Sequence, residues 1–299
     1  MTMASDARRL KTIVIGGTTA WLVIFTLLPF LIVLAISLAA PRLGVPPFTP
    51  LLESGEGVLP RLNASFANYV TLFSDSLYVE AFLTSVRIAA TSSLLTLLIA
   101  YPMAYAIART QARLRPPLLM LVILPFWTSF LIRAYAWTGI LNSNGLINGA
   151  LIEAGIITEP LPLLHTEFAV HLGIVYSYLP FMVLPIYAVL ERLDWTLLEA
   201  ASDLGSRPLR GFRRVTLPLS LPGVYAGWLL VFIPALGEFI IPDLLGGPGS
   251  LMIGRVLWTE FFNNNDWPLA SALAVALLAM VLGSSALLYR VMRRPEALP

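Results

Sequence analysis

Six apolar runs govern what this chain can fold into. They cover roughly residues 12–40, 82–108, 117–140, 167–190, 223–245 and 268–291. Each reaches the ~20 mostly apolar residues that a helix needs to cross a bilayer. Hydrocarbon offers the backbone no hydrogen-bond partner, so such runs must satisfy their own N–H and C=O groups as helices. The expectation is an all-α membrane protein with six transmembrane helices, forming a single transmembrane domain over 1–299. A mean hydropathy of +0.81 agrees, being too apolar for a soluble domain of 299 residues. The first run follows Arg8, Arg9 and Lys11. It is far longer than the ~7–15 apolar residues of a cleaved signal, so it reads as a retained helix.

The basic residues give these runs a direction. Arg8, Arg9, Lys11, Arg109, Arg113, Arg115, Arg192, Arg207, Arg210, Arg213, Arg214, Arg290, Arg293 and Arg294 fall on the side where the chain starts, fourteen of its 19 lysines and arginines. Arg42, Arg61, Arg87, Arg133 and Arg255 are left for the spans and the other side. Basic loops stay in the cytoplasm. Both termini and the segment 191–222 are therefore expected there. The outer connections are 41–81, 141–166 and 246–267; the last is too polar to span and reads as a helix at or dipping into the outer face.

Pro102, Pro125, Pro180, Pro185, Pro234 and Pro242 fall inside the runs. Each removes a backbone donor and invites a kink, which fits irregular packing and fits helices around a cavity that changes shape. The chain has no cysteine, which excludes disulfides, thiolate catalysis and cysteine-bound metal. Its two histidines, His165 and His171, are not spaced to put two ligands on one helix face, so no metal site is expected.

One stretch does not suit a greasy chain. Residues 199–220, EAASDLGSRPLRGFRRVTLPLS, carry Glu199, Asp203, Arg207, Arg210, Arg213 and Arg214 between two spans. As a helix over 195–207, the stretch would put Glu199, Asp203 and Arg207 on one face, with Ala200, Ala201 and Leu204 on the other. Gly205 permits a turn or a close approach, and Pro208 suits the first turn of a second short helix. A basic element resting on anionic lipid accounts for Arg210, Arg213 and Arg214. It does not account for the acids, the small alanines or the glycine, which suit a socket for a partner surface.

The same residues resemble the EAA loop of binding-protein-dependent ABC importer permeases. The likeness rests on Glu199, Ala200 and Ala201, then Gly205 six after the glutamate, then Leu217 and Pro218. LPFWTSFLIRAYAWTGIL at 124–141 and the segment 231–268 are similar to the polyamine branch of that family, nearest to its putrescine-transporting members, and the likeness is weakest before about residue 60. The resemblance implies a type I ABC importer permease fold in the bacterial inner membrane, importing a polyamine by alternating access. It implies that Glu199, Ala200, Ala201, Asp203, Leu204, Gly205, Arg207 and Pro208 couple the permease to a cytoplasmic ATPase. It also implies the partners: a second similar permease, two ATPase subunits and an extracytoplasmic polyamine-binding protein.

The residues agree that hydrolysis belongs elsewhere. A Walker A loop places a lysine on the phosphates. The single lysine is Lys11, with no glycine loop beside it. We expect no enzyme activity, catalytic residue or cofactor in this chain, with ATP and Mg on the ATPase, and no nucleic-acid partner. An ion-driven carrier is the rival class; it calls for ionisable relays deep in the spans and often inverted repeats. Sulfate, thiamine or iron are the rival cargoes, and a membrane scaffold would leave a charge at 238 unexplained.

Charges inside spans point to function. Arg87 and Arg133 fall in the second and third runs, Glu238 well inside the fifth, and Asp243 near its outer end. Trp127, Tyr135, Trp137 and Tyr178 add aromatic faces, and aromatic faces with a carboxylate suit an ammonium group. Trp127, Arg133, Tyr135, Trp137, Tyr178, Glu238 and Asp243 are the candidate substrate path. The plainer reading of the charges is an ion pair of Glu238 with Arg133 or Arg87.

Overall fold

The computed structural model describes residues 2–53 and 61–292. Of the basic residues used for orientation, Arg293 and Arg294 lie outside the described residues, as do the side chains of Arg8, Arg9, Lys11 and Arg61. The helices in chain order are α1 (Thr2–Ser37), α2 (Ala67–Ser74), α3 (Ser76–Arg109), α4 (Arg115–Ile123), α5 (Phe130–Leu141), α6 (Leu146–Glu153), α7 (Glu167–Leu190), α8 (Thr196–Asp203), α9 (Pro208–Leu236), α10 (Ile240–Leu245), α11 (Ile253–Trp258) and α12 (Trp267–Met292). Among the described residues five helices are long and apolar enough to cross a membrane, or six if one bent pair forms a single span.

The chain divides into two compact units. The first holds residues 1–76 and 257–280. Here α1 ends at Ser37, short of the expected 40, because its last carbonyls find side-chain partners. Asn68 of α2 donates to the carbonyls of Ser37 and Ala39 at 2.9 and 2.8 Å, and the Tyr69 and Ser37 hydroxyls are 2.7 Å apart. A two-residue antiparallel ladder sets Leu52 opposite Leu62 and Glu53 opposite Arg61.

The second unit holds residues 77–256 and 281–299. Its centre is α7 packed on α9, with α3 alongside: Ala100, Ala104 and Ala108 meet Met182, Ile186 and Leu190 in one buried cluster. Lipid is as apolar as leucine, so close van der Waals contact holds such helices together rather than escape from water. Gly223 shows the demand. A Cβ there would sit 2.7 Å from the Pro185 carbonyl oxygen and 3.0 Å from the Ile186 Cα, both backbone atoms of α7. A buried hydrogen bond of 2.7 Å between the Tyr101 and Ser220 hydroxyls ties α3 to α9.

Three expected elements differ. The third run is not one helix: residues 112–127 and 130–153 meet at 87°. Pro125 lies in the short 3-10 turn Leu124–Trp127, and Thr128 leaves the helix in extended backbone, its hydroxyl donating to the Pro125 carbonyl at 2.8 Å. The fifth run is broken too. α9 stops at Leu236, and the chain restarts as α10 at Ile240. The basic insert differs most, since its second helix is not short but runs on into the fifth span. α8 covers 196–203 rather than 195–207, so Arg207 does not share a helical face with Glu199 and Asp203. From Pro208 onward the chain is already α9, which passes through a π-helical turn at Phe212–Thr216. That wider turn accommodates Pro218, whose ring a regular turn would press against the preceding carbonyl.

Candidate functional site

The two helix breaks meet at one cavity of about 550 Å³ in the second unit, lined by residues from 126–133, 177–181 and 234–240. Glu238 sits at the break after α9 and is only 7% exposed. A buried carboxylate without hydrogen-bond partners is costly. Its Oε1 accepts from the backbone N–H groups of Phe239, Ile240 and Ile241 at 3.1, 3.0 and 3.4 Å. Those are donors that the first turn of α10 would otherwise leave unpaired. Its Oε2 accepts from the Tyr178 hydroxyl at 2.5 Å. The break is therefore local chemistry: the side chain of Glu238 takes the place of the next helical turn.

Arg133 is the second charge in the cavity. It projects from α5, is 8% exposed, and lies over two rings, its Cζ 5.2 Å from the Phe126 centroid and 5.7 Å from that of Phe130. Its Nε and Nη1 have no hydrogen-bond partner among the described residues. Phe181 extends the aromatic wall, edge-on to Phe126 at 5.1 Å and tilted beside Tyr178 at 6.2 Å.

The expected ion pairs take other forms. Arg87 pairs with Glu167 at the start of α7, not with Glu238. Arg133 makes no ion pair with Glu238 within 4 Å. Of the candidate path residues, Arg133, Tyr178 and Glu238 come together in the cavity. Trp137 packs edge-on against Tyr176 at 5.4 Å, and Asp243 takes the Arg255 Nε at 3.0 Å. Trp127 and Tyr135 are 71% and 61% exposed and do not line the cavity. Phe130, Phe181, Thr128 and Ser177 line it without having been singled out from the sequence. Pro125 was the available signal: the break just after it, at Thr128 and Ser129, sets Phe126 and Phe130 on its two sides and leaves Arg133 in the first turn of α5.

The basic insert builds a separate feature. The Asp194 carboxylate accepts from the Thr196 N–H at 3.0 Å and its hydroxyl at 2.8 Å, which fixes the start of α8 and holds that carboxyl below its ordinary value. Trp195 anchors the turn, with the Arg109 guanidinium 4.9 Å over its ring and Tyr105 edge-on at 5.9 Å. At the other end the N–H of Ser206 donates to the Ala201 carbonyl at 2.9 Å, and Gly205 has φ +78°, a conformation that glycine adopts freely. The helix is held from behind and bare in front. Glu199, Ala200, Asp203, Gly205, Arg207 and Pro208 are exposed, Ala201 is half-buried, and Leu204 is 89% exposed at the tip.

A multi-span helical chain with broken spans around an open cavity, and a bare helix outside the spans, is built as a membrane transport component. Residues 96–295 match the family model described as binding-protein-dependent transport system inner membrane component. The chain belongs to that family, as the permease subunit of an ABC importer and a multi-pass protein of the inner membrane. Among its relatives is the spermidine/putrescine transport system permease protein PotB of Haemophilus influenzae, 39% identical over 273 residues, covering 91% of each chain. PotB of Escherichia coli is 39% identical over 269 residues, covering 90% of this chain and 92% of the relative. A bacterial ABC transporter involved in import of the acidic polysaccharide alginate has a TM-score of 0.68 at 18% identity, covering 98% of this chain and 100% of that one. A second structure, with an alginate pentasaccharide-bound periplasmic protein, has a TM-score of 0.72 at 18% identity, covering 97% and 96%. These two establish the ABC importer permease fold and say nothing of cargo. Family membership sets aside the ion-driven carrier and the scaffold.

Proposed function

We propose that the chain is the permease of a polyamine importer, moving putrescine or spermidine inward, with putrescine as the narrower reading. Glu238 carries the proposal: it is the carboxylate of the cavity, held at a helix break beside aromatic rings. A polyamine crosses as a cation and needs compensating negative charge in low dielectric. The full-length likeness to permeases named for spermidine and putrescine supports the same cargo. In this reading both termini and α8 lie in the cytoplasm. Glu199, Ala200, Ala201, Asp203, Leu204, Gly205, Arg207 and Pro208 form the surface that meets an ATPase subunit. A second similar permease, two ATPases carrying ATP and Mg, and an extracytoplasmic polyamine-binding protein complete the assembly. The cavity opens alternately to the two sides, and Trp127 and Tyr135, exposed on this chain, face the second permease across the path.

The test is uptake by the assembled transporter in proteoliposomes, with its binding protein outside and ATP inside. Labelled putrescine and spermidine run in parallel with sulfate, thiamine and iron. Saturable uptake of either polyamine, lost with a catalytically dead ATPase, is expected. Uptake of another solute alone overturns the cargo. Uptake that survives the dead ATPase and collapses with the proton gradient overturns the energy source.

A further inference from the structure

We infer that the guanidinium of Arg133 is a tethered occupant of the cavity's ammonium seat, and that an incoming polyamine binds by displacing it from the rings of Phe126 and Phe130. The inference rests on the cavity being the polyamine path. Its starting point is a charge that the fold does not explain. Arg133 is 8% exposed, yet among the described residues Nε and Nη1 have no hydrogen-bond partner and no carboxylate pairs with it within 4 Å. A buried charge without a paired partner is strongly unfavourable. The carboxylate nearest in function, Glu238, is already satisfied by three backbone N–H groups and the Tyr178 hydroxyl. What holds Arg133 is therefore the faces of two rings, at 5.2 and 5.7 Å.

Aromatic faces bind guanidinium and alkylammonium by the same attraction, that of a cation for the negative face of the ring. A seat that takes Arg133 therefore also takes one end of a polyamine. Arg133 is suited to yield. It has a long flexible stem, and it stands on the first turn of α5, directly after the break at Thr128 and Ser129. With cargo absent, the seat is filled by a cation that cannot leave the protein, so small inorganic cations meet an occupied site of like charge. With cargo present, one ammonium end takes the rings while the other is drawn to the Glu238 carboxylate. A monoamine can do only one of these, so displacement selects for amines charged at both ends.

The experiment is equilibrium binding of labelled putrescine to the assembled transporter in nanodiscs, without the substrate-binding protein. Wild type is compared with Arg133→Gln, Arg133→Lys and Arg133→Met. Co-purification with the ATPase subunits confirms that each variant is assembled, and the methionine provides a second neutral replacement of similar length. Removing the resident cation is expected to tighten putrescine binding on the order of tenfold in both neutral variants, and to let butylamine compete where it does not in the wild type. Arg133→Lys, which keeps a tethered cation, lies between wild type and the neutral variants. Unchanged or weaker putrescine binding in the neutral variants overturns the inference, and so does undetectable binding in every variant. If the wild type still takes up polyamine with its binding protein present, only the displacement falls. If it takes up none, the proposed cargo falls and the displacement with it.

Discussion

Replacing Glu238 with glutamine separates two jobs that one carboxylate performs. In the wild type Oε1 receives the three N–H groups that open α10, and Oε2 receives the Tyr178 hydroxyl. Glutamine keeps an oxygen acceptor of nearly the same reach, so the helix start stays capped. It loses the charge. Each hydrogen bond to the neutral amide is weaker than to the charged group, but the amide also no longer bears the cost of burying a charge, so the cap remains and the two changes offset. The effect on a cationic cargo is larger. An ammonium about 4 Å from a carboxylate gains about 4 kcal/mol at an effective dielectric near 20. Desolvation of the pair returns part of that. If about half survives, the loss is ~2 kcal/mol and uptake falls about thirtyfold. Glu238→Ala removes charge and cap together, adding about 0.5–2 kcal/mol of destabilisation from the uncapped helix. The assay is labelled putrescine uptake in proteoliposomes, with thermal melting and ATPase co-purification for each variant. Glutamine should melt near the wild type and transport poorly; alanine should lose on both counts. Wild-type uptake by Glu238→Gln refutes the electrostatic reasoning and leaves Glu238 as a cap alone. Equal melting loss in the two variants refutes the capping reasoning.

Three further outcomes are expected. Arg210→Cys places a single thiol in a chain without cysteine; it should resist an impermeant thiol reagent in intact cells, and labelling from outside overturns the assigned orientation. Gly205→Trp meets open space within this chain but replaces a residue at φ +78° on the bare side of α8. It should insert in the membrane yet lose ATPase association and transport, and normal transport by the stably expressed variant removes α8 as the docking surface. Gly223→Ala puts a methyl group against the backbone of α7; overpacking of about 1–3 kcal/mol should lower the melting temperature by several degrees, and an unchanged melt contradicts the close α7–α9 packing.

The spans were legible because burial in lipid writes itself as uninterrupted apolar sequence. The breaks were not. Pro102, Pro180 and Pro185 sit in helices that run on, while Pro125 and Pro234 lie close to true interruptions. The difference lies in what meets the backbone next to each proline, and for Pro234 that is a carboxylate four residues on. The insert was half legible. Gly205 marked the end of α8, but a helix carried through to Arg207 overlooked that a positive φ stops it first. The partners of the buried charges could not be read at all. Arg87 finds Glu167 eighty residues away, across two helices whose packing no local pattern encodes. Arg133 was singled out as a charge in a span, but its rings became visible only once the break at Thr128 brought Phe126 round beside Phe130.

The two breaks bear on one another. A helix that stops inside a bilayer exposes donors at the N-terminus of the new piece and acceptors at the C-terminus of the old one, and transport proteins use such ends to meet ions. At the α9–α10 break the donors are consumed internally, because Oε1 of Glu238 takes all three. The positive end of α10 is thereby neutralised, and the cavity is left with a carboxylate and ring faces, a surface that favours cations. At the α4–α5 break the chain does the reverse: it swings Arg133 into that surface. A cavity shaped for a cation and filled by the protein's own cation has a balanced charge at rest. Thr128 and Gly237, at the two breaks, both line the cavity, so the backbone at each break lies beside one of the two charges.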